Sequence, residues 1–300
     1  MSGISFLIVN YHTAECITLL VDSIKENIHK YVYEILIYDN SCTLDQTTKL
    51  LSLRNNTIKV YFSEENIGFV RANNFLLKQA QYEIIILINP DTKLIDNSLE
   101  HLLDMIQSSH GIGAVGPMLL NDDNSYQVSF FKFPNLITLI QEHILLFRDP
   151  YSYSTDHTTQ QECDVIRGAC LVFKKECLKE NYIFDEDYVM FSEEVDLCWR
   201  LKKQGFKNYY YPFTKIIHYG GKSSNRKEIS DYVLYHYYRS KLIFFKKHHS
   251  RLYYTLVKCV LIISLIEKVI LLFIVLKTWN SIRHYKVLKT LLNEFKNGKI

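Results

Sequence analysis

Two apolar rhythms alternate along the first 120 residues of the chain. Short, nearly unbroken apolar runs stand at 4–9, 34–38, 58–62 and 84–88. Runs of this kind predict strands buried on both faces, as in a parallel sheet covered by helices. Between them the apolar positions recur at helical spacing. Ile17, Leu20, Val21 and Ile24 share one face of a helix predicted over 14–27, and further helices are predicted over 45–53, 70–81 and 97–108. Strands alternating with helices at this spacing imply βαβ units and a parallel sheet with right-handed crossovers.

The most apolar run, Ile84 to Ile88, is placed at the centre of the sheet. Pro90 cannot donate to a sheet ladder and pushes Asn89 toward an extended backbone, so the strand ends there. Asp91 is thereby left at the strand's carboxyl end. An Asn-Pro-Asp turn can close a strand with no further role, but the other strands end in a similar way. Asn10 and Tyr11 follow the first strand, Asp39 the second, and Asn66 and Gly68 the third. In a parallel sheet these ends lie along one edge, where ligands bind, and the polar exits predict a crevice there.

Farther on, 111–120 predicts a strand with a bend at Gly116-Pro117, 126–133 alternates weakly, and 134–162 has no clear period and suggests a mobile loop over the site. Residues 165–174 read as one strand in which Gly168 allows close backbone approach. Ser192 suits the N-cap of a helix with Glu193, Glu194 and Asp196 in its first turn, Lys202 and Lys203 in its last, and Gly205 as its stop. Acids at a helix start are favoured by the macrodipole whatever their function. A strand over 206–211 is predicted to end at Pro212, and His218 follows, a position where a lone histidine is ordinarily structural.

Composition changes this picture little. In 300 residues, 48% hydrophobic content and a net charge of +3 describe a folded chain with ample core, neither a disordered tail nor a nucleic-acid binder. The seven cysteines are scattered, with no zinc-knuckle or redox spacing. The amino terminus lacks the basic region and long apolar core of a secretory signal, so free thiols in a reducing cytoplasm are expected.

Ser5-Phe6-Leu7-Ile8-Val9-Asn10-Tyr11, Asp39-Asn40-Ser41, Asn66-Ile67-Gly68-Phe69 through Asn73-Asn74, and Leu87-Ile88-Asn89-Pro90-Asp91-Thr92 form an ordered set with Arg167-Gly168-Ala169, Phe184-Asp185-Glu186, Glu193-Glu194-Val195-Asp196-Leu197, and His218 before Gly220-Gly221. Together these segments resemble the inverting glycosyltransferases of family 2, in their rhamnosyltransferase-like branch. The resemblance implies a GT-A α/β fold, with a mostly parallel sheet flanked by helices, as a catalytic domain over 1–225. It implies that Asp39 bonds the nucleotide's pyrimidine, that Asn10 and Tyr11 pack on the base, and that Asn66, Gly68 and Asn74 lie beside the nucleotide. Asn89 and Asp91 match the Asp-x-Asp metal motif, with Asn89 in place of its first acid, and His218 matches the histidine completing the metal site. A divalent Mg2+ or Mn2+ ion would use such oxygen ligands. Glu194 matches the catalytic base, a position more often held by Asp, with Glu193 as runner-up. At about 100° per helical residue the two cannot both aim at one hydroxyl, and Asp196 is better placed to hold a basic or backbone group.

Residues 226–300 change character. Aromatic and basic residues mix over 235–249, and the apolar stretch 252–276 is interrupted by Lys258 and by Glu267-Lys268. A bilayer span needs about 20 predominantly apolar residues, and a mid-span charge costs about 2.5–3.5 kcal/mol. Helices lying at the membrane interface are therefore expected, the enzyme being cytoplasmic and peripheral at the inner face of the cell membrane. The alternative is a soluble helical pair packing on the catalytic domain or on another subunit, with which a homo-oligomer is compatible. The resemblance implies a nucleotide-sugar donor, with L-rhamnose from dTDP-rhamnose suggested by the branch alone, and a glycan or lipid-linked glycan acceptor in the cell envelope. A nucleotidyltransferase would carry a glycine-rich phosphate loop near the amino terminus, which is missing here. A non-catalytic nucleotide-binding scaffold is opposed by Asp39, Asp91, Glu194 and His218.

Overall fold

A computed structural model describes residues 3–146, 150–152, 156–220, 230–274 and 280–300. Gly221 of the Gly-Gly pair and parts of the 134–162 stretch lie outside the described residues. The chain divides into two compact units. The first comprises Met1–Lys132, Tyr153–Glu186 and Glu194–Asn225, and the second Phe133–Ser152, Asp187–Glu193 and Arg226–Ile300.

The first unit begins as the apolar pattern predicts: β1 (Gly3–Asn10), α1 (Ala14–Asn27), β2 (Val32–Asp39), α2 (Leu44–Leu51), β3 (Ile58–Phe62), α3 (Phe69–Gln79) and β4 (Ile84–Ile88). β1 and β4 are buried at every position, and Ile17, Leu20, Val21 and Ile24 of α1 have no exposed surface. Each such side chain contributes about 1.5–3 kcal/mol by leaving water. β1, β2, β3 and β4 are mutually parallel in the order β3-β2-β1-β4. The chain thus walks outward from β1, and α3 returns it to the far side of β1. That reversal between β1 and β4 is a topological switch point, where the carboxyl ends of the strands open a crevice.

The rest of the sheet is mixed rather than mostly parallel. It comprises β5 (Thr92–Leu94), β6 (Ile112–Leu120, after α4, Leu99–Ser108), β7 (Tyr126–Gln127), β9 (Gln161–Cys163), β11 (Cys170–Lys174) and β12 (Lys207–His218), while β8 (Phe130–Phe131) and β10 (Val165–Ile166) pair in a sheet of their own. The predicted strand over 165–174 is broken between β10 and β11. β11 enters from the edge where β4 ends, Cys170 facing Ile88, and runs antiparallel to β4 and β6. At Gly116 an added Cβ would lie 2.1 Å from Ile166 Cγ2, so β6 passes close beside β10, and the strand runs on through Gly116-Pro117 to Leu120. β12 likewise continues through Pro212 to His218. A register shift between Tyr211 and Lys215 accommodates the proline, and the longer strand delivers His218 opposite Thr92.

The second unit holds α5 (Leu136–His143), a helix inside the stretch expected as a loop, with α7 (Asp231–His248), α8 (Arg251–Ile274) and α9 (Asn280–Lys296). α6 (Glu193–Lys203) begins at the last residue assigned to this unit and otherwise belongs to the first. Asn135 caps α5 reciprocally with Thr138, a bond pattern that a period search does not detect. No helix among the described residues is long and apolar enough to cross a membrane. Inside this unit Lys241 Nζ meets Glu142 Oε2 at 2.5 Å, Tyr237 Oη at 2.8 Å and His143 Nε2 at 3.1 Å. Burial pushes the His143 imidazole down to about 4, Glu142 opposing and Lys241 reinforcing the shift.

A depressed histidine gives stability that is full above its unfolded value of about 6.5 and is lost as pH falls toward 4, because only the unfolded chain takes up the proton. Thermal unfolding of the full chain followed by circular dichroism should show a falling midpoint between pH 6.5 and 4. His143→Gln, which keeps an acceptor for Lys241 but does not titrate, should flatten that slope. An unchanged slope would place its source elsewhere.

Candidate active site

The exits of β1 and β2 are locked together. Asn10 and Asp39 face each other in register, and neither has exposed surface. Asn10 Nδ2 donates to Asp39 Oδ1 at 2.8 Å and to Ser41 Oγ at 2.9 Å, while Asn10 Oδ1 accepts from the Thr13 amide and hydroxyl at 2.9 and 2.8 Å. Asp39 also accepts from Ser41 N at 2.9 Å and Thr47 Oγ1 at 2.7 Å. Of a carboxylate's roughly four lone-pair positions, these bonds leave about one, on Oδ2. His12 and Cys42 take left-handed backbones at φ 58° and 53°, turning the chain sharply after each strand. Tyr11, 42% exposed, is the open aromatic surface at this exit.

The β3 exit joins the same edge. Asn40 Oδ1 accepts from Ile67 N at 3.2 Å, and Asn66 Oδ1 accepts from Gly68 N at 2.8 Å. Gly68, at φ 84°, makes the left-handed turn that opens α3. Asn74 is buried and differently engaged. Its Oδ1 accepts from Ile183 N and Phe184 N, both at 3.0 Å, and its Nδ2 donates to Phe184 O at 2.7 Å. Its amide therefore ties α3 to the segment before Asp185.

Across the switch point, Asp91 and His218 meet. His218 Nε2 lies 3.5 Å from Asp91 Oδ1 and 3.4 Å from Asn89 Nδ2, with the two ring and carboxylate side chains 13% and 5% exposed. Tyr219 N donates to Asp91 O at 2.9 Å, which closes the loop onto the end of β12. Among the described residues no group of three or more His, Cys, Asp or Glu side chains gathers to hold a metal ion. The donor pair nevertheless suits one. Bonds of about 2.0–2.2 Å would let two atoms 3.5 Å apart share a single ion. Mg2+ is commonly held by one or two protein ligands, its other positions filled by water and substrate phosphate.

Between these groups and α6 runs Arg167-Gly168-Ala169. Ala169 O accepts from Asn89 N at 2.9 Å, and a Cβ on Gly168 would touch Glu194 Cβ at 3.8 Å, an ordinary contact. Glu194, in the first turn of α6, keeps partial exposure, but its Oε2 is buried and makes no hydrogen bond among the described residues. Burial raises its carboxyl above the ordinary value, opposed by its own and Val195's amides and by the Arg167 charge. A raised carboxyl in a crevice is suited to proton transfer near neutral pH. Ser192 is not a regular N-cap. It and Phe191 adopt left-handed backbones at φ 62° and 67°, where an N-cap is usually extended. Glu193 falls in the other unit. Asp196 accepts from Arg200 Nε at 2.7 Å, the i, i+4 partnership its helical position predicts.

Sequence reasoning did not single out Ser41, Thr47, Arg167 or Gln127. Ser41 and Arg167 stand within recognised motifs, so their neighbourhood was a signal. Gln127 had none: its Oε1 lies 2.6 Å from His218 Nδ1 across 91 residues of chain.

The model of glycosyl transferase family 2 matches residues 5–181. An N-acetylglucosaminyl-diphospho-decaprenol L-rhamnosyltransferase of Mycobacterium tuberculosis is 27% identical over 234 residues, covering 72% of this chain and 75% of the relative. Among solved structures, the mannosyltransferase PcManGT of Pyrobaculum calidifontis, in complex with GDP-Man and Mn2+, superposes with a TM-score of 0.54 at 16% identity, over 81% of this chain and 63% of that one. GalNAc-T7 with UDP, GalNAc and Mn2+ gives a TM-score of 0.55 at 15% identity, over 73% of this chain and 44% of its own. The structural likenesses speak for a GT-A-like fold, and with the match over residues 5–181 this chain belongs to glycosyltransferase family 2.

Proposed function

We propose that this chain transfers a sugar, with inversion, from a nucleoside-diphosphate donor to a hydroxyl of a lipid-linked cell-envelope glycan. The observation that carries this reading is the Glu194 carboxyl at the start of α6, raised by burial, its Oε2 buried and without a hydrogen-bond partner among the described residues. A group so placed can accept the acceptor's proton as that hydroxyl oxygen forms its bond to the anomeric carbon. The bond from that carbon to the diphosphate breaks with its electron pair, and attack from the opposite face inverts the centre. The β1, β2 and β3 exits, with Tyr11 open and Asp39 in its network, supply the nucleotide's seat. A Mg2+ or Mn2+ ion held by Asp91 and His218, with Asn89 beside them, would offset charge on the departing diphosphate.

The name of the mycobacterial relative favours L-rhamnose and a lipid-diphosphate acceptor, and the donor proposed with that sugar is dTDP-rhamnose. A membrane-borne acceptor suits a peripheral enzyme at the inner membrane face. Leu252, Leu256, Ile263, Ile266 and Ile270 are exposed on α8, and Lys246, Lys247 and His248 end α7. Apolar and basic groups of this kind favour the helical unit as the part that meets the lipid surface.

Glu194→Gln should lower turnover by roughly 10²–10⁴-fold with donor affinity little changed, and Glu194→Asp should stay active. Normal turnover in Glu194→Gln alongside a dead Glu193→Gln would move the role to Glu193. Calorimetric titration of a nucleoside diphosphate should lose its Mn2+ stimulation in Asp91→Ala and show it weakened in His218→Ala. Curves identical to wild type in both variants would remove the metal assignment.

A further inference from the structure

His218 is held from behind by a chain of amides whose orientations are set by the backbone. Asn121 Nδ2 donates to Ser125 Oγ at 2.9 Å and reaches the Tyr126 carbonyl at 3.5 Å, so its Oδ1 faces the other way. That oxygen accepts from Gln127 Nε2 at 2.8 Å. Gln127 Nε2 also donates to the His218 carbonyl at 3.2 Å. A carbonyl can only accept, so Gln127's NH2 group is committed to that side. Its Oε1 must then be the atom 2.6 Å from His218 Nδ1. An amide oxygen cannot donate, so Nδ1 carries the hydrogen. In the neutral ring Nε2 is then left with its lone pair, pointing toward Asp91 Oδ1 at 3.5 Å and Asn89 Nδ2 at 3.4 Å.

We propose that Gln127 is a positioning residue, which holds His218 in the Nδ1–H tautomer and so presents the Nε2 lone pair to a divalent cation shared with Asp91. The inference rests on the metal reading given under the proposed function. Histidine ligands ordinarily donate their second ring N–H to such a partner, which fixes the tautomer and the ring plane, and loss of that partner typically lowers metal affinity 10–100-fold. The fold makes the contact available. β7 pairs with the end of β6, placing Gln127 opposite Leu119, and β12 lies on β6 with Ile216 opposite the same Leu119. The turn over 121–125 supplies Asn121, and no residue of the hairpin is required to touch the cation.

Two substitutions separate the acceptor role of Gln127 from its role as hairpin tie. Gln127→Glu loses both NH2 bonds, to Asn121 and to the His218 carbonyl, but keeps an oxygen for Nδ1–H. Gln127→Met loses all three. Mn2+ binding to the full chain, measured by electron paramagnetic resonance with a nucleoside diphosphate present, should weaken 10–100-fold in Gln127→Met and stay within a few-fold of wild type in Gln127→Glu. Nitrogen-15 shifts of His218 in the metal-free protein should report Nδ1–H in wild type and in Gln127→Glu, and a mixture of tautomers in Gln127→Met. Thermal midpoints of the two variants serve as the control for a tie alone, which would make both fall together and leave the tautomer unmoved. That result overturns the proposal, as does wild-type Mn2+ affinity in Gln127→Met. If His218→Ala also binds Mn2+ like wild type, the metal reading itself has failed. If His218→Ala loses Mn2+ while Gln127→Met does not, the metal reading stands and only the role of Gln127 falls.

Discussion

Asn10 has no exposed surface, sits where β1 ends between β2 and β4, and satisfies its buried amide wholly within the protein. An unpaired amide at such a place costs about 1–3 kcal/mol, so the partners are close to obligatory. The obligation organises the surrounding chain. Asp39 must stand in register across from Asn10, Ser41 must turn back to reach it, and Thr13 must start α1 close by. The sharp left-handed turns at His12 and Cys42 follow from bringing those groups so near the strand ends. These strand exits thus form one internally bonded network, and such pre-organisation lowers the ordering cost of binding.

The opposite half of the crevice is arranged on another principle. There Glu194 Oε2 is buried without a hydrogen bond among the described residues, and Phe191 and Ser192 precede it in the chain with backbones that side chains rarely adopt. Both features oppose stability. His218 lies between the two extremes. Its Nδ1 side is fully engaged by Gln127, while its Nε2 side faces Asp91 at a distance too long for a good hydrogen bond.

The helical unit contains the other concentration of buried charge, where Glu142, His143 and Lys241 are compensated by one another and by the hydroxyls of Tyr151 and Tyr237. Replacing a buried ion cluster with apolar side chains is often neutral or stabilising, so its presence is weak testimony for stability as such. Its consequence is sensitivity to pH, since His143 stays neutral when the solvent would protonate it.

The amino-acid sequence by itself determined the parallel half of the sheet. Runs such as Ile84–Ile88 are buried on both faces, helical faces such as that of α1 recur every three to four residues, and both signals are local. It also placed polar residues at the strand exits, because a turn residue such as Pro90 stops a strand where it stands. Tertiary structure alone decided the mixed half. The direction of β11 is set by its antiparallel pairing with β4, about 80 residues earlier in the chain, and the run of β12 past Pro212 depends on a register shift against β6. It decided, too, that Asn74 binds Phe184 across 110 residues and that Gln127 reaches His218 across 91. A hydrogen bond between distant residues leaves no period and no spacing in either segment, so only the folded chain could reveal which amide meets which ring.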